Sequence, residues 1–89
     1  MIQCILLDEV IIYIHSLKEI NEKGIGEQII ALNCNNNHLK TLEGLENCVN
    51  LQRLYCDHNE LKTLEGLENC VNLQRLLLYK SIGNIRRIR

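Results

Sequence analysis

Residues 39–54 read LKTLEGLENCVNLQRL, and residues 61–76 repeat the same sixteen residues without a difference. The period is therefore 22, and it also holds upstream of each copy. The matching upstream pairs are Leu32 and Leu54, Cys34 and Cys56, and Asn37 and Asn59. A fixed period of about 20 to 50 residues is typical of proteins whose repeated units bury their apolar faces against each other. The sequence therefore predicts a stack of 22-residue units.

Each unit begins with an alternating segment, such as Leu54-Tyr-Cys56, whose period of 2 predicts a β-strand. Equivalent strands of stacked units would form a parallel sheet. After the strand, apolar residues recur at every third position. They are Leu39, Leu42, Leu45, Cys48, Leu51 and Leu54. This spacing favours 3₁₀ turns or irregular coil over an α-helix, and Gly44 and Gly66 are expected at tight bends.

Asn37 and Asn59 follow the predicted strands, where the chain must turn. A carboxamide offers both donors and an acceptor to backbone groups that a turn leaves without partners. Removing one such amide should therefore cost about 1 to 3 kcal/mol. His15 and Ser81 occupy the same position in the outer units, so we expect this ladder to weaken at both ends.

The unit pattern L-x-(L/C)-x-x-N-x-L-x-x-L-x-x-L-x-x-C-x-x-L resembles the leucine-rich repeat family. LEGLENCVNLQRLYCDHNEL, at residues 42–61, is similar to the short 22-residue subclass typified by a regulatory subunit of a protein phosphatase. The resemblance implies an α/β solenoid with parallel strands on its concave face and 3₁₀ turns or irregular coil on its convex face. It also implies a non-catalytic module that binds proteins, with Asn37 and Asn59 as its Asn ladder.

The register divides the chain into one domain with five segments. We expect an N-terminal cap at 1–9, repeats at 10–31, 32–53 and 54–75, and a degenerate last repeat with a C-terminal cap at 76–89. Ile82, Ile85 and Ile88 would form the last turn, and the arginines between them would keep it soluble. The basic residues at this end have three other possible explanations. They bind an anionic partner, the chain is a fragment of a longer repeat array, or copies of the chain associate through their ends.

The composition narrows the function further. The 89 residues carry 10 basic and 11 acidic side chains, and this balance argues against a surface built for nucleic acid or anionic membrane. Residues 1–7 are apolar without a basic flank, which predicts neither a signal peptide nor a membrane span. Five cysteines form an odd number without a CxxC pair, so we expect reduced thiols and a cytoplasmic protein.

No pattern in the sequence indicates catalysis, a metal site or a cofactor. Cys34 and Cys56, like Cys48 and Cys70, are 22 residues apart and fit the repeat as small apolar core residues. The three histidines lack the spacing of zinc ligands, and neither serine lies in a nucleophile elbow. We therefore predict no enzymatic activity and no cofactor.

The concave strand face is the predicted binding site for a protein partner. Tyrosine and arginine dominate binding hot spots, and all three tyrosines fall on this face. The predicted contact residues are Tyr13, Arg53, Tyr55, Asp57, Arg75, Leu77 and Tyr79. Two alternatives stay open. Tyrosine and leucine occur on this face because they favour strands, or the partner binds the side of the solenoid through His38, His58 and Glu60. A rival function is self-association through the terminal coils, which would make the chain a homo-oligomer.

Overall fold

The computed structural model describes residues 1–81 as one mixed β-sheet with turns packed against one face. The predicted C-terminal turn at Ile82, Ile85 and Ile88 lies outside these residues. The strands are β1 (Ile2–Leu6), β2 (Ile11–Ile14), β3 (Ile29–Asn33), β4 (Arg53–Tyr55) and β5 (Arg75–Leu77). One α-helix, α1 (Lys18–Glu22), and a 3₁₀ turn (Gly26–Gln28) lie between β2 and β3. The strand order across the sheet is β2-β1-β3-β4-β5.

The repeated half of the chain forms the predicted parallel strands. β3, β4 and β5 pair in parallel, and Leu32, Leu54 and Leu76 align across them at the period of the sequence repeat. The ladder continues past the strand ends, where Cys34 N–H donates to the Tyr55 carbonyl at 2.7 Å. The prediction of parallel strands is confirmed for these three.

That prediction is wrong for the N-terminal strands. β1 lies between β2 and β3 and pairs antiparallel with both, so the strand that opens repeat 10–31 is not adjacent to the strand of the next repeat. The cause is the short connection between β1 and β2, since a parallel crossover requires about a dozen residues or more. Glu9 has a φ of 69° in this turn, and Leu6 N–H donates to the Val10 carbonyl at 2.9 Å. The expected boundary between residues 9 and 10 therefore falls inside a β-hairpin.

His15 does not take part in the Asn ladder, contrary to its predicted position. It is exposed at the end of β2, and its backbone N–H donates to Glu19 Oε2 at 2.7 Å. Glu19 Oε2 also accepts the Ser16 N–H at 3.0 Å, and these bonds keep the pKa of Glu19 below its usual value. Asn37 Nδ2 donates to the Met1 carbonyl at 3.3 Å, where Asn59 Nδ2 in the next unit donates to the Cys34 carbonyl.

The residues between the strands form successive turns, and this explains their apolar spacing of three. Cys48 N–H donates to the Leu45 carbonyl at 3.0 Å, and Leu51 N–H donates to the Cys48 carbonyl at 3.3 Å. Each turn returns one side chain to the core, where Leu45, Cys48 and Leu51 are fully buried. The predicted irregular turns are confirmed, because the structure assigns no helix to residues 39–52 or 61–74.

Gly44 and Gly66 lie at the predicted bends, with φ values of 116° and 112°. A β-carbon on Gly44 would lie 2.7 Å from the Leu17 carbonyl oxygen, and one on Gly66 would lie 2.9 Å from the Leu42 oxygen. At both positions glycine allows a backbone angle that other residues rarely adopt. It also lets one segment lie directly against the backbone of the segment before it.

Candidate protein-binding face

The sheet has one face on the core and one face free of it, which we call the outer face. The strand register places the side chains of the outer face in two rows, each crossing all five strands. The first row, in sheet order, is Tyr13, Gln3, Asn33, Tyr55 and Leu77. The second row is Ile11, Ile5, Ala31, Arg53 and Arg75.

Most of the predicted contact residues share this face. Tyr55 and Leu77 are neighbours in the first row, and Leu77 is 43% exposed. Tyr13 is 57% exposed at the far end of the same row, one strand further from Tyr55 than predicted because β1 intervenes. The face therefore has apolar ends, with Gln3 and Asn33 between them.

Arg53 and Arg75 are direct neighbours on β4 and β5. Adjacent strands are about 4.8 Å apart, so the two positively charged side chains start from neighbouring positions on the same face. Within residues 1–81 the only ion pair joins His38 to Glu60, and neither guanidinium has an acidic partner. Like charges in register repel, and an anion placed between them would relieve that repulsion.

Asp57 and Tyr79 follow the ends of β4 and β5. Asp57 N–H donates to Asn35 Oδ1 at 2.7 Å, and Tyr79 N–H donates to Asp57 Oδ1 at 2.8 Å. These bonds form a second ladder at the period of the repeat. One carboxylate oxygen of Asp57 therefore holds the backbone of Tyr79, a residue that is 64% exposed.

The Tyr79 ring lies against two basic residues of the same edge. Its centroid is 5.5 Å from that of His58, edge to face, and Lys80 Nζ is 5.5 Å from the ring centre. His38 and Glu60, which belong to the alternative lateral contact, pair with each other at 3.0 Å between Nδ1 and Oε2. Both are exposed, so this pair contributes little to stability.

The predicted ladder residues form a hydrogen-bonded chain along the repeats. Asn59 is buried, and its Oδ1 accepts the N–H groups of Asn37 and Leu39, both at 3.0 Å. Its Nδ2 donates to the carbonyls of Cys34 and Cys56, both at 3.0 Å. Ser81 Oγ accepts the Asn59 N–H at 3.0 Å and bonds to the Cys56 carbonyl, so it takes over part of the ladder.

Further asparagines in the repeated segment, which were not among the predicted ladder residues, also join neighbouring units. Asn50 Nδ2 donates to the Glu27 carbonyl at 2.8 Å, and Asn72 Nδ2 donates to the Val49 carbonyl at 2.8 Å. Asn69 Nδ2 reaches the Glu46 carbonyl at 3.1 Å. Their identity in both copies was the available signal. On the outer face, by contrast, the equivalent residues Asn33, Tyr55 and Leu77 differ from unit to unit.

The cysteines are core residues, as predicted, and all five are buried. Burial raises the pKa of Cys4 to about 11 and that of Cys48 to about 12. A hydrogen bond with Cys56, together with burial, raises the pKa of Cys34 well above the usual value. Neutral thiols are poor nucleophiles and poor metal ligands. Within residues 1–81, no three His, Cys, Asp or Glu side chains are close enough to hold a metal ion.

The raised thiol pKa values predict a loss of stability in alkaline solution. Below pH 9.0, the ordinary value, folded and unfolded thiols are both protonated and this contribution is constant. Above it the unfolded chain loses protons first, so the free energy of unfolding should fall as the pH rises from 9 to about 12. Cys4 and Cys48 should each contribute a slope of about 1.4 kcal/mol per pH unit between the ordinary pKa and the raised one.

Urea unfolding at a series of pH values measures this effect, with Cys48→Ala as the comparison. The variant loses packing at every pH but has one thiol fewer to titrate, so its stability should decline less steeply. Parallel profiles for the two proteins would show that Cys48 ionises normally in the folded chain.

Comparison with known proteins agrees with the repeat. Residues 28–69 match the family model for leucine-rich repeats, in two copies. This match supports the leucine-rich repeat family. Searches of curated proteins and of solved structures gave no match. Within residues 1–81, α1 and the 3₁₀ turn are both too short to cross a membrane.

Proposed function

We propose that this chain is a non-catalytic module that binds an acidic segment of a protein partner on its outer face. Leucine-rich repeats commonly mediate protein–protein interaction, and arrays of such units offer extended surfaces for it. Tyr55, Leu77 and Tyr79 would be the apolar anchors. Arg53 and Arg75 would donate hydrogen bonds to the partner's carboxylates.

The observation that carries this proposal is the arginine pair without an acidic partner among residues 1–81. Two guanidiniums side by side suit a carboxylate, which can accept a bidentate pair of hydrogen bonds. Tyr55 and Leu77, in the adjacent row, supply apolar area beside the charge. Asp57 would act indirectly, by holding the Tyr79 backbone through the 2.8 Å hydrogen bond.

A peptide-display selection on the immobilised chain tests the proposal. We expect the selected peptides to be enriched in Asp and Glu, with at least one aromatic or aliphatic residue close to them. Arg53→Gln with Arg75→Gln should weaken their binding about tenfold or more, equivalent to about 1.4 kcal/mol. Tyr55→Ala with Tyr79→Ala should weaken it to a similar extent.

The matched control removes two positive charges away from the outer face. Lys40 and Lys62 are exposed residues at equivalent positions of the two repeats, outside the sheet. Lys40→Gln with Lys62→Gln should leave peptide binding within about twofold of the wild type. Peptides without acidic enrichment, or equal losses for the arginine and lysine pairs, would refute the proposal.

A further inference from the structure

β2 is an edge strand of unusual composition. Val10 to Ile14 reads VIIYI and contains no charge or proline, the residues that usually protect an exposed edge. Among residues 1–81, no strand pairs with the side of β2 that faces away from β1. β5 at the opposite edge differs, because it carries the charge of Arg75.

The hairpin determines which backbone groups point away from β1. Leu6 N–H donates to the Val10 carbonyl at 2.9 Å, and Val10 N–H donates to Asp8 Oδ1, so Leu6 and Val10 lie at a hydrogen-bonded position of the ladder but make one of its two bonds. Such pairs alternate along an antiparallel ladder. Ile12 and Ile14 therefore point their backbone groups toward β1, whereas Ile11 and Tyr13 point theirs outward.

We propose that this edge is a homodimer interface, in which the β2 strands of two copies pair antiparallel about a two-fold axis at Ile12. In this register Ile11 of one copy pairs with Tyr13 of the other, twice by symmetry. Each pair exchanges two backbone hydrogen bonds, so four bonds form between the strands. The two sheets would then become one sheet of ten strands.

The flanking residues exclude the neighbouring registers. With the two-fold axis at Ile11, the backbone N–H and carbonyl of Glu9 would have to bond to the second copy. The Glu9 N–H already donates to the Leu6 carbonyl at 2.8 Å. With the axis at Tyr13, the backbone N–H and carbonyl of His15 would have to bond to the second copy, but this N–H already donates to Glu19 Oε2. The axis at Ile12 uses only Ile11 and Tyr13.

Side-chain hydrogen bonding and apolar area favour the same arrangement. Glu9 precedes β2 and His15 follows it, and both are exposed. Antiparallel pairing places Glu9 of each copy opposite His15 of the other, where the imidazole can donate to the carboxylate. Ile11 and Tyr13, which are 51% and 57% exposed, would contact each other across the interface. A second copy therefore complements this edge in backbone hydrogen bonding, side-chain hydrogen bonding and apolar area.

Light scattering across a range of concentrations tests the proposal on the full chain. The wild type should shift from 10.3 kDa to twice that mass as concentration rises. Ile11→Lys should raise the concentration needed for dimers about tenfold or more, because it places two lysines at the edge. Leu77→Lys makes the same change on the same face at the opposite edge, and should leave dimerisation unchanged.

Crosslinking tests the register. Ile12→Cys places two thiols directly opposite each other at the axis, about 5 Å apart between β-carbons, and should yield a covalent dimer with oxidised glutathione. Tyr13→Cys places them on diagonal positions and should crosslink far less. The native cysteines should interfere little, because they are buried.

Three results would overturn the proposal. One is a wild-type protein that stays monomeric at every concentration. If it formed dimers only after residues 82–89 were deleted, the β2 edge would be the binding site of that segment and not of a second copy. Another is equal dissociation by Ile11→Lys and Leu77→Lys. The third is preferential crosslinking at Tyr13→Cys. If Ile12→Cys fails to fold, the two lysine variants still decide the question.

Discussion

Gly44→Ala should lower the free energy of unfolding by about 3 to 5 kcal/mol, from backbone strain combined with a steric clash. The φ of 116° lies in a region that side chains rarely permit. The new β-carbon would also lie 2.7 Å from the Leu17 carbonyl oxygen, a backbone atom that cannot rotate away. A domain of this size has only about 5 to 15 kcal/mol to lose.

The other glycines provide a graded control for this prediction. Gly66 has a similar φ of 112° and a slightly longer approach of 2.9 Å to the Leu42 oxygen, so Gly66→Ala should cost somewhat less. Gly24 has a φ of 64° with no atom within 4 Å of a β-carbon, so Gly24→Ala should cost only about 1 kcal/mol.

Urea unfolding midpoints at constant slope measure the three costs. The expected order of destabilisation is Gly44, then Gly66, then Gly24. If Gly44→Ala were no more destabilising than Gly24→Ala, the close contact between adjacent segments would not hold in solution.

The sequence predicted the repeated half of this fold well, for a physical reason. Where units are identical, each residue faces its own equivalent in the next unit, so one period fixes the strand register, the turns and the ladder together. Leu32 and Leu54 align as the period requires, and Asn59 bonds to Asn37 at the same interval of 22.

The N-terminal hairpin was missed because alternation alone does not determine strand direction. Ile11 to Ile14 fits the repeat register, and the same residues serve equally well in an antiparallel strand. The available signal was the short polar interruption at Asp8 and Glu9 between two apolar runs, which is a hairpin length without the usual glycine.

The sequence predicted which strand side chains point away from the core, but it did not predict the hydrogen bonds that hold the residues after the strands. Alternation identified Tyr55, Arg75 and Leu77 as residues that point away from the core. The ladder from Asn35 through Asp57 was hidden because the two residue types differ between units. What they share is a side-chain oxygen that accepts a backbone N–H, at 2.7 Å and 2.8 Å respectively.

Asn59→Ala should cost about 3 kcal/mol or more, at the upper end of the value expected for one buried amide. The substitution removes the acceptor for Asn37 N–H and Leu39 N–H, and the donor to the Cys34 carbonyl. These groups lie between units, so the stacking of one unit on the next depends on them. Thermal or urea unfolding of the variant measures the loss.

Asn37→Ala is the matched control, since it makes the same change one unit earlier. Asn37 is half-buried, and its Nδ2 donates to the Asn35 carbonyl at 2.9 Å and the Met1 carbonyl at 3.3 Å. Water can replace bonds at this more open end, so its loss should cost about 1 kcal/mol. Equal costs for the two variants would mean that the ladder stabilises each turn separately instead of joining the units.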